Sequence, residues 1–240
     1  GWIWVPCPAF LITHPTVGSI LIDTSLHSSI AAEPRENFGR LASRLARPRI
    51  ESGRDLPSQL RELGAEPRSI PFVVMTHLHI DHASGISEFP SSTFVLSSTE
   101  WTAATTGARP LLRGYRPQHY DNAFDYRLVD FDGPRVDSYS TFARTFDLFG
   151  DGSIRLAFTP GHTVGHMCVL ARLADRDFVI AGDNLFTFNL VEFIETAKAK
   201  RPHAAIAVYD VKDKELAKQY GLVRPDASGK VLEFLEKPQN

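Results

Sequence analysis

The run His77-Leu78-His79-Ile80-Asp81-His82 places imidazoles at three positions and a carboxylate at a fourth, directly after the apolar stretch Pro71-Phe72-Val73-Val74-Met75. Packing has no use for so many donors, and burying them unpaired is costly. A strand that ends and wraps its loop around a borderline-soft cation does need them, and zinc is the expected ion. Iron and manganese accept the same donor types. In an extended segment alternate residues share a side, so His77 and His79 point together. Asp81 and His82 lie just beyond, where the chain can turn them toward a second position. Solvated loop histidines are the competing explanation, and the spacing argues against it.

A second constellation is Thr159-Pro160-Gly161-His162-Thr163-Val164-Gly165-His166. Pro160 ends a strand, Gly161 frees a tight turn, and His162 emerges at the strand's exit, as in the first run. His166 opens the next strand and reads as a structural histidine bonded to nearby backbone. A third piece, Phe178-Val179-Ile180-Ala181-Gly182-Asp183, is a strand ending in a carboxylate. Beside cations Asp183 can bridge two ions; alone, Gly-Asp is also ordinary turn chemistry.

These groups need elements to hold them. The patterning predicts strands over 5–12 and 19–24, with 15–18 as the turn between them. It predicts helix between Asn37 and Ala46 inside an Arg-rich flap, and a short helix over 56–63 behind Asp55. Strands follow at 72–76 and 93–96, then a helix over 97–105 capped by Ser98 or Thr99. The segment 109–122 reads as irregular, followed by strands over 126–131, 145–149, 154–159, 167–171 and 178–181. Mostly strands, with helices interspersed, indicates an α+β protein with two packed sheets and helices outside.

Composition sets outer limits. The chain of 240 residues is long enough for one large domain or two small ones, and its net charge of −2 makes no case for nucleic acid or an anionic membrane. No apolar run is long enough to span a bilayer, and the first residues lack the basic region and cleavage site of a signal peptide. The chain starts at Gly1, as expected of a piece of a longer protein. Cys7 and Cys168 lie far apart in apolar runs; buried free thiols and a reducing cytoplasm are the expectation.

Asp23-Thr24, the run from Thr76 to Gly85, Phe89-Pro90, Glu100, the run from Thr159 to His166, and Gly182-Asp183 together resemble the metallo-β-lactamase superfamily. The likeness spans about residues 5–183 and is nearest to the lactonase-like branch that includes N-acyl homoserine lactonases. It implies an αββα sandwich with metals at one edge of the sheets. It implies His77, His79 and His162 on one zinc, Asp81 and His82 on another, and Asp183 between them. The implied chemistry is attack of a zinc-activated hydroxide on a small ester or lactone, with Asp81 handling the proton. Leu26, Ile30 and Phe38 are candidates to receive an acyl chain, or simply pack the flap. The oligomeric state is open, a homodimer being one option.

The family expects one more histidine well after the bridging carboxylate, and here only His203 follows Asp183. Its place in a turn between a helix and a strand favours a solvated residue, so the second metal position is expected to be impaired. The tail from about residue 182 resembles a sugar-phosphate nucleotidyltransferase. It has expected helices over 190–200 and 214–220, a strand over 204–209, and a closing Glu236-Lys237-Pro238. By that likeness Asp183 holds magnesium, and Glu236 and Lys237 contact sugar, although the nucleotide-binding glycine loop is missing. A chimera joined at Gly182-Asp183 accounts for both resemblances. Domains are then 1–183 and 184–240, the tail completing the sandwich.

Overall fold

The computed structural model describes residues 5–120, 124–140, 142–174, 176–183, 221–226, 228 and 230–236. Contacts divide the chain into two units, Gly1–Asn184 and Leu185–Asn240.

The first unit holds two five-stranded sheets. In the first sheet, β1 (Phe10–His14) and β2 (Gly18–Ile22) form an antiparallel hairpin. Then β3 (Phe72–Val74), β4 (Thr93–Ser97) and β5 (Asp125–Val129) add in parallel. Parallel neighbours need crossovers, and these carry the helices. Between β2 and β3 lie α1 (Pro34–Phe38), α2 (Arg40–Ala46) and α3 (Leu56–Glu62). Between β3 and β4 lies α4 (Ile80–Ala83), and between β4 and β5 lies α5 (Ser98–Thr106). The second sheet is antiparallel throughout: β6 (Val136–Tyr139), β7 (Phe142–Asp147), β8 (Ile154–Phe158), β9 (Met167–Arg172) and β10 (Asp177–Ile180).

One apolar cluster joins Ile20, Ile22, Val73 and Phe94 of the first sheet to Phe146, Leu156, Met167 and Val169 of the second. The sheets therefore face each other, and Leu60 of α3 and Ala104 of α5 extend the same core from the helical side. This is the α+β sandwich that the sequence leads one to expect. In the second unit β11 (Gly221–Pro225) and β12 (Val231–Glu236) form an antiparallel hairpin. Asp226 closes its turn, accepting from the Ser228 amide at 2.8 Å and the Lys230 amide at 2.9 Å. The expected tail elements over 190–220, and Lys237, lie outside the described residues.

Several boundaries differ from expectation. The first strand begins at Phe10, not Val5, so Cys7 sits in irregular chain rather than in a strand. The flap helix breaks in two at Gly39, whose φ of 77° a continuous helix cannot contain. The cap of α5 is Ser97, which accepts from the Thr99 amide at 3.2 Å, instead of Ser98 or Thr99. Strand β6 was not anticipated: Val136-Asp137-Ser138-Tyr139 is a largely polar edge, where burial leaves little pattern to read.

Candidate metal centre

The first loop leaves β3 extended, so His77 and His79 alternate as expected, and then coils into the single turn of α4. That turn swings His82 back beneath His77, with ring centroids 4.2 Å apart. The second loop delivers His162, whose Nε2 lies 2.9 Å from Nδ1 of His79 and 3.2 Å from Oδ2 of Asp183. Asp183 places its Oδ1 3.0 Å from Nε2 of His82. Two overlapping groups result, His77/His79/His162 and His77/His82/Asp183, each with ligand atoms within 4.8 Å of one another. Residues far apart in the chain thus converge at one edge of the sandwich.

Hydrogen bonds behind the imidazoles fix which nitrogen faces inward. The Thr76 hydroxyl donates to Oδ2 of Asp23 at 2.8 Å, so its oxygen is free to accept Nδ1–H of His77 at 3.1 Å. Nε2 of His77 is then a lone pair, and it is fully buried without a partner. Asp23 also accepts from Nδ1 of His82 at 2.8 Å, which leaves Nε2 of His82 facing Asp183. His79 bonds the Arg113 backbone, and a side chain at Gly114 would run into its Nε2, so Nδ1 is the atom presented to the cluster. For His77 and His79 this is the tautomer a metal requires, and for His82 the Asp23 bond keeps a proton on Nδ1, so that Nε2 is the nitrogen a cation would take in place of its proton.

Charge follows the same pattern. Burial, and then the neighbouring imidazoles, hold His77 far below the usual histidine range and lower His79 as well. His82 goes the other way: burial opposes its charge, but Asp23, Asp183 and Asp81 outweigh it and raise the imidazole to about 11. Asp183 is lowered, chiefly by its bond to His82. The carboxylates thus demand positive charge between His82 and Asp183, while neutral imidazoles offer lone pairs beside it. An orphaned buried Nε2 and a nitrogen-rich donor set with one carboxylate fit a divalent transition metal.

Of the residues singled out in the sequence, His77, His79, His82, His162 and Asp183 are brought together. Asp81 stands at the rim, its Oδ2 3.7 Å from Nε2 of His82, and faces a cavity of about 570 Å³. Cys7, Leu26, Phe38, Ile50 and Ile80 help line that cavity. Burial, followed by Asp81 and Asp183, pushes the Cys7 thiol up to about 12, so it is no nucleophile near neutral pH. His166 is buried and joins neither group; its Nδ1 lies 3.0 Å from the Thr159 hydroxyl. His203 lies outside the described residues. Sequence reasoning gave no role to Asp23, Thr76, Glu100 or the 113–115 backbone. The available signal was an acidic residue straight after the apolar run Ile20-Leu21-Ile22.

Comparison with known proteins agrees with this geometry. The family described as the metallo-beta-lactamase superfamily matches residues 2–221. The chain is 32% identical over 186 residues to the N-acyl homoserine lactonase AttM of Agrobacterium fabrum, covering 77% of this chain and 67% of that protein. It is 32% identical over 170 residues to the protein of the same name from Azorhizobium caulinodans, covering 70% and 60%. The chain thus spans between three-fifths and two-thirds of these relatives. The structure of an N-acyl homoserine lactone hydrolase with N-hexanoyl-L-homoserine at its catalytic metal centre superposes with a TM-score of 0.53. It is 20% identical, over 70% of this chain and 59% of that one. A quorum-quenching N-acyl homoserine lactone hydrolase also gives 0.53, at 17% identity over 81% and 76%. The family match continues past Asp183 to residue 221 and lends the nucleotidyltransferase likeness of the tail no support.

Proposed function

Because the chain belongs to the metallo-beta-lactamase superfamily, we propose that it is a metal-dependent hydrolase that opens a lactone or small ester, with N-acyl homoserine lactones as the leading substrate class. The observation that carries this is the convergence of His77, His79 and His162 from two loops beside His82 and Asp183. Zinc suits three imidazoles best, and iron or manganese would be held by the same atoms. When bound, divalent cations supply Lewis acidity, making hydroxide available near neutral pH and polarising a carbonyl.

The chain's own residues do the rest. His77, His79 and His162 would hold one cation, and His82 and Asp183, with Asp81 beside them, would hold a second. Asp81, at the cavity side, takes the proton of the attacking water and returns it to the ring oxygen that leaves, so water adds across the C–O bond. The apolar wall of Leu26, Phe38, Ile50 and Ile80 holds the acyl portion away from solvent.

The test is metal analysis of the purified full chain after zinc supplementation, with a lactone-opening assay on the same sample. Bound metal and turnover abolished by His79→Ala are expected. Absence of bound metal, or turnover indifferent to His79→Ala, sinks the assignment. Bound metal without turnover on any lactone or ester would instead identify a metal-binding protein.

A further inference from the structure

Glu100 lies in the first turn of α5, outside both ligand groups, and is completely buried. The groups recorded against its carboxylate all donate. Oε1 accepts from the Leu78 amide at 3.0 Å, inside the first metal loop. Oε2 accepts from the Thr163 hydroxyl at 2.7 Å and from the Gly165 amide at 3.2 Å, both inside the second. The Tyr115 phenol, which packs on His79 with ring centroids 5.2 Å apart, hydrogen-bonds the same carboxylate. A Cβ on Gly165 would collide with the backbone of Glu100, so the absence of a side chain there lets the loop reach it. At their base the two loops are already joined by the Met167 amide donating to the Thr76 carbonyl at 3.0 Å. Nearer the tips, Glu100 bridges the residue between His77 and His79 to the residues flanking His162.

We propose that Glu100 is the positioning residue that sets the separation of the two metal-bearing loops, and that it governs metal affinity at the three-histidine position selectively. The selectivity follows from where the ligands originate. His77, His79 and His162 come from both loops, so that position is only as well formed as the tie between them. The other group, His77, His82 and Asp183 with Asp81 at its rim, takes no residue from the 161–166 loop, so loosening that loop leaves it standing. A carboxylate is needed because both oxygens must accept; an amide would turn one of them into a donor aimed at another donor. The proposal rests on the metal-centre reading above.

Titration of the full chain with cobalt(II), followed by visible d–d absorption, tests it without recourse to turnover. Glu100→Gln keeps the shape of the side chain and cuts one loop loose. It should weaken the three-histidine position by about 10- to 100-fold, the usual effect of removing an outer-shell partner, and alter that position's bands. Any second equivalent should retain its wild-type affinity. If Glu100→Gln does not fold, Thr163→Val removes a single donor and should give a smaller loss at the same position. Wild-type affinity and bands in the folded variant overturn the proposal, and so does equal weakening at both positions. If the wild-type chain takes up no cobalt or zinc, it is the functional reading itself that fails.

Discussion

Replacing Asp23 with Asn tests whether hydrogen bonding behind the ligands sets their chemistry. Asp23 is buried with a φ of 59°, a conformation Asn tolerates, so the backbone should be undisturbed. Oδ1 accepts from the Thr76 amide at 2.7 Å; Oδ2 accepts from the Thr76 hydroxyl and from Nδ1 of His82, each at 2.8 Å. The amide oxygen of Asn can replace only one of these atoms. Keeping the Thr76 amide satisfied turns the NH2 group toward Nδ1–H of His82, donor against donor. His82 then gives up its Nδ1 proton to accept from that NH2 group and keeps its remaining proton on Nε2, the atom a cation would need free. A loss of about 10- to 100-fold in metal affinity is expected, or roughly 1.4–2.7 kcal/mol. The loss should appear in calorimetric titration with zinc, with circular dichroism confirming an unchanged fold. Zinc binding equal to wild type would falsify the tautomer argument, because the side-chain shapes are otherwise the same.

Three further outcomes follow from particular contacts. Gly165→Ala forces a methyl group into the Glu100 backbone, costing about 1–3 kcal/mol and lowering the melting temperature by roughly 5 °C; an unchanged melting temperature would show that the loop stands farther off. His119 is buried, and burial followed by nearby positive charge lowers it to about 4. Between pH 6.5 and 4 the unfolded chain therefore binds a proton that the folded chain refuses, so stability is full above this window and falls as pH drops through it, by up to about 3 kcal/mol. Urea melts of His119→Gln against wild type should show a shallower loss over that range, and parallel curves would refute the assignment. Phe38→Ala opens the apolar wall that adjoins Asp81; it should raise KM for a long-chain acyl lactone by about tenfold or more while leaving zinc content unchanged, and an unchanged KM would remove the cavity from substrate binding.

The histidine runs that converge were legible because their chemistry is local: His77, His79 and His82 sit within six positions, and Pro160-Gly161 marks the turn that exposes His162. Strand interiors such as Ile20-Leu21-Ile22 and Val73-Val74 were equally plain, since burial on both faces leaves unbroken apolar runs. What stayed hidden was relational. Asp23 matters because residues more than fifty positions later fold onto it, and Glu100 because two loops meet at its carboxylate. No periodicity encodes such meetings. The break at Gly39 was missed for a similar reason: Arg116 reaches across to donate to the Phe38 carbonyl at 2.6 Å, fixing a corner that local helix propensity would have smoothed away.

Every group discussed above as binding or tuning a cation leaves the first sheet at the carboxyl end of a parallel strand or lies across from one, so the far rim is free of that duty. There the 15–17 turn and the 149–153 bend are joined through His14, which donates to the Ser153 hydroxyl at 2.7 Å and takes the Val17 amide at 3.1 Å. Those bends can lengthen, shrink or accept a grafted peptide without disturbing the histidine cluster, which makes that rim the place to attach a reporter or a tether.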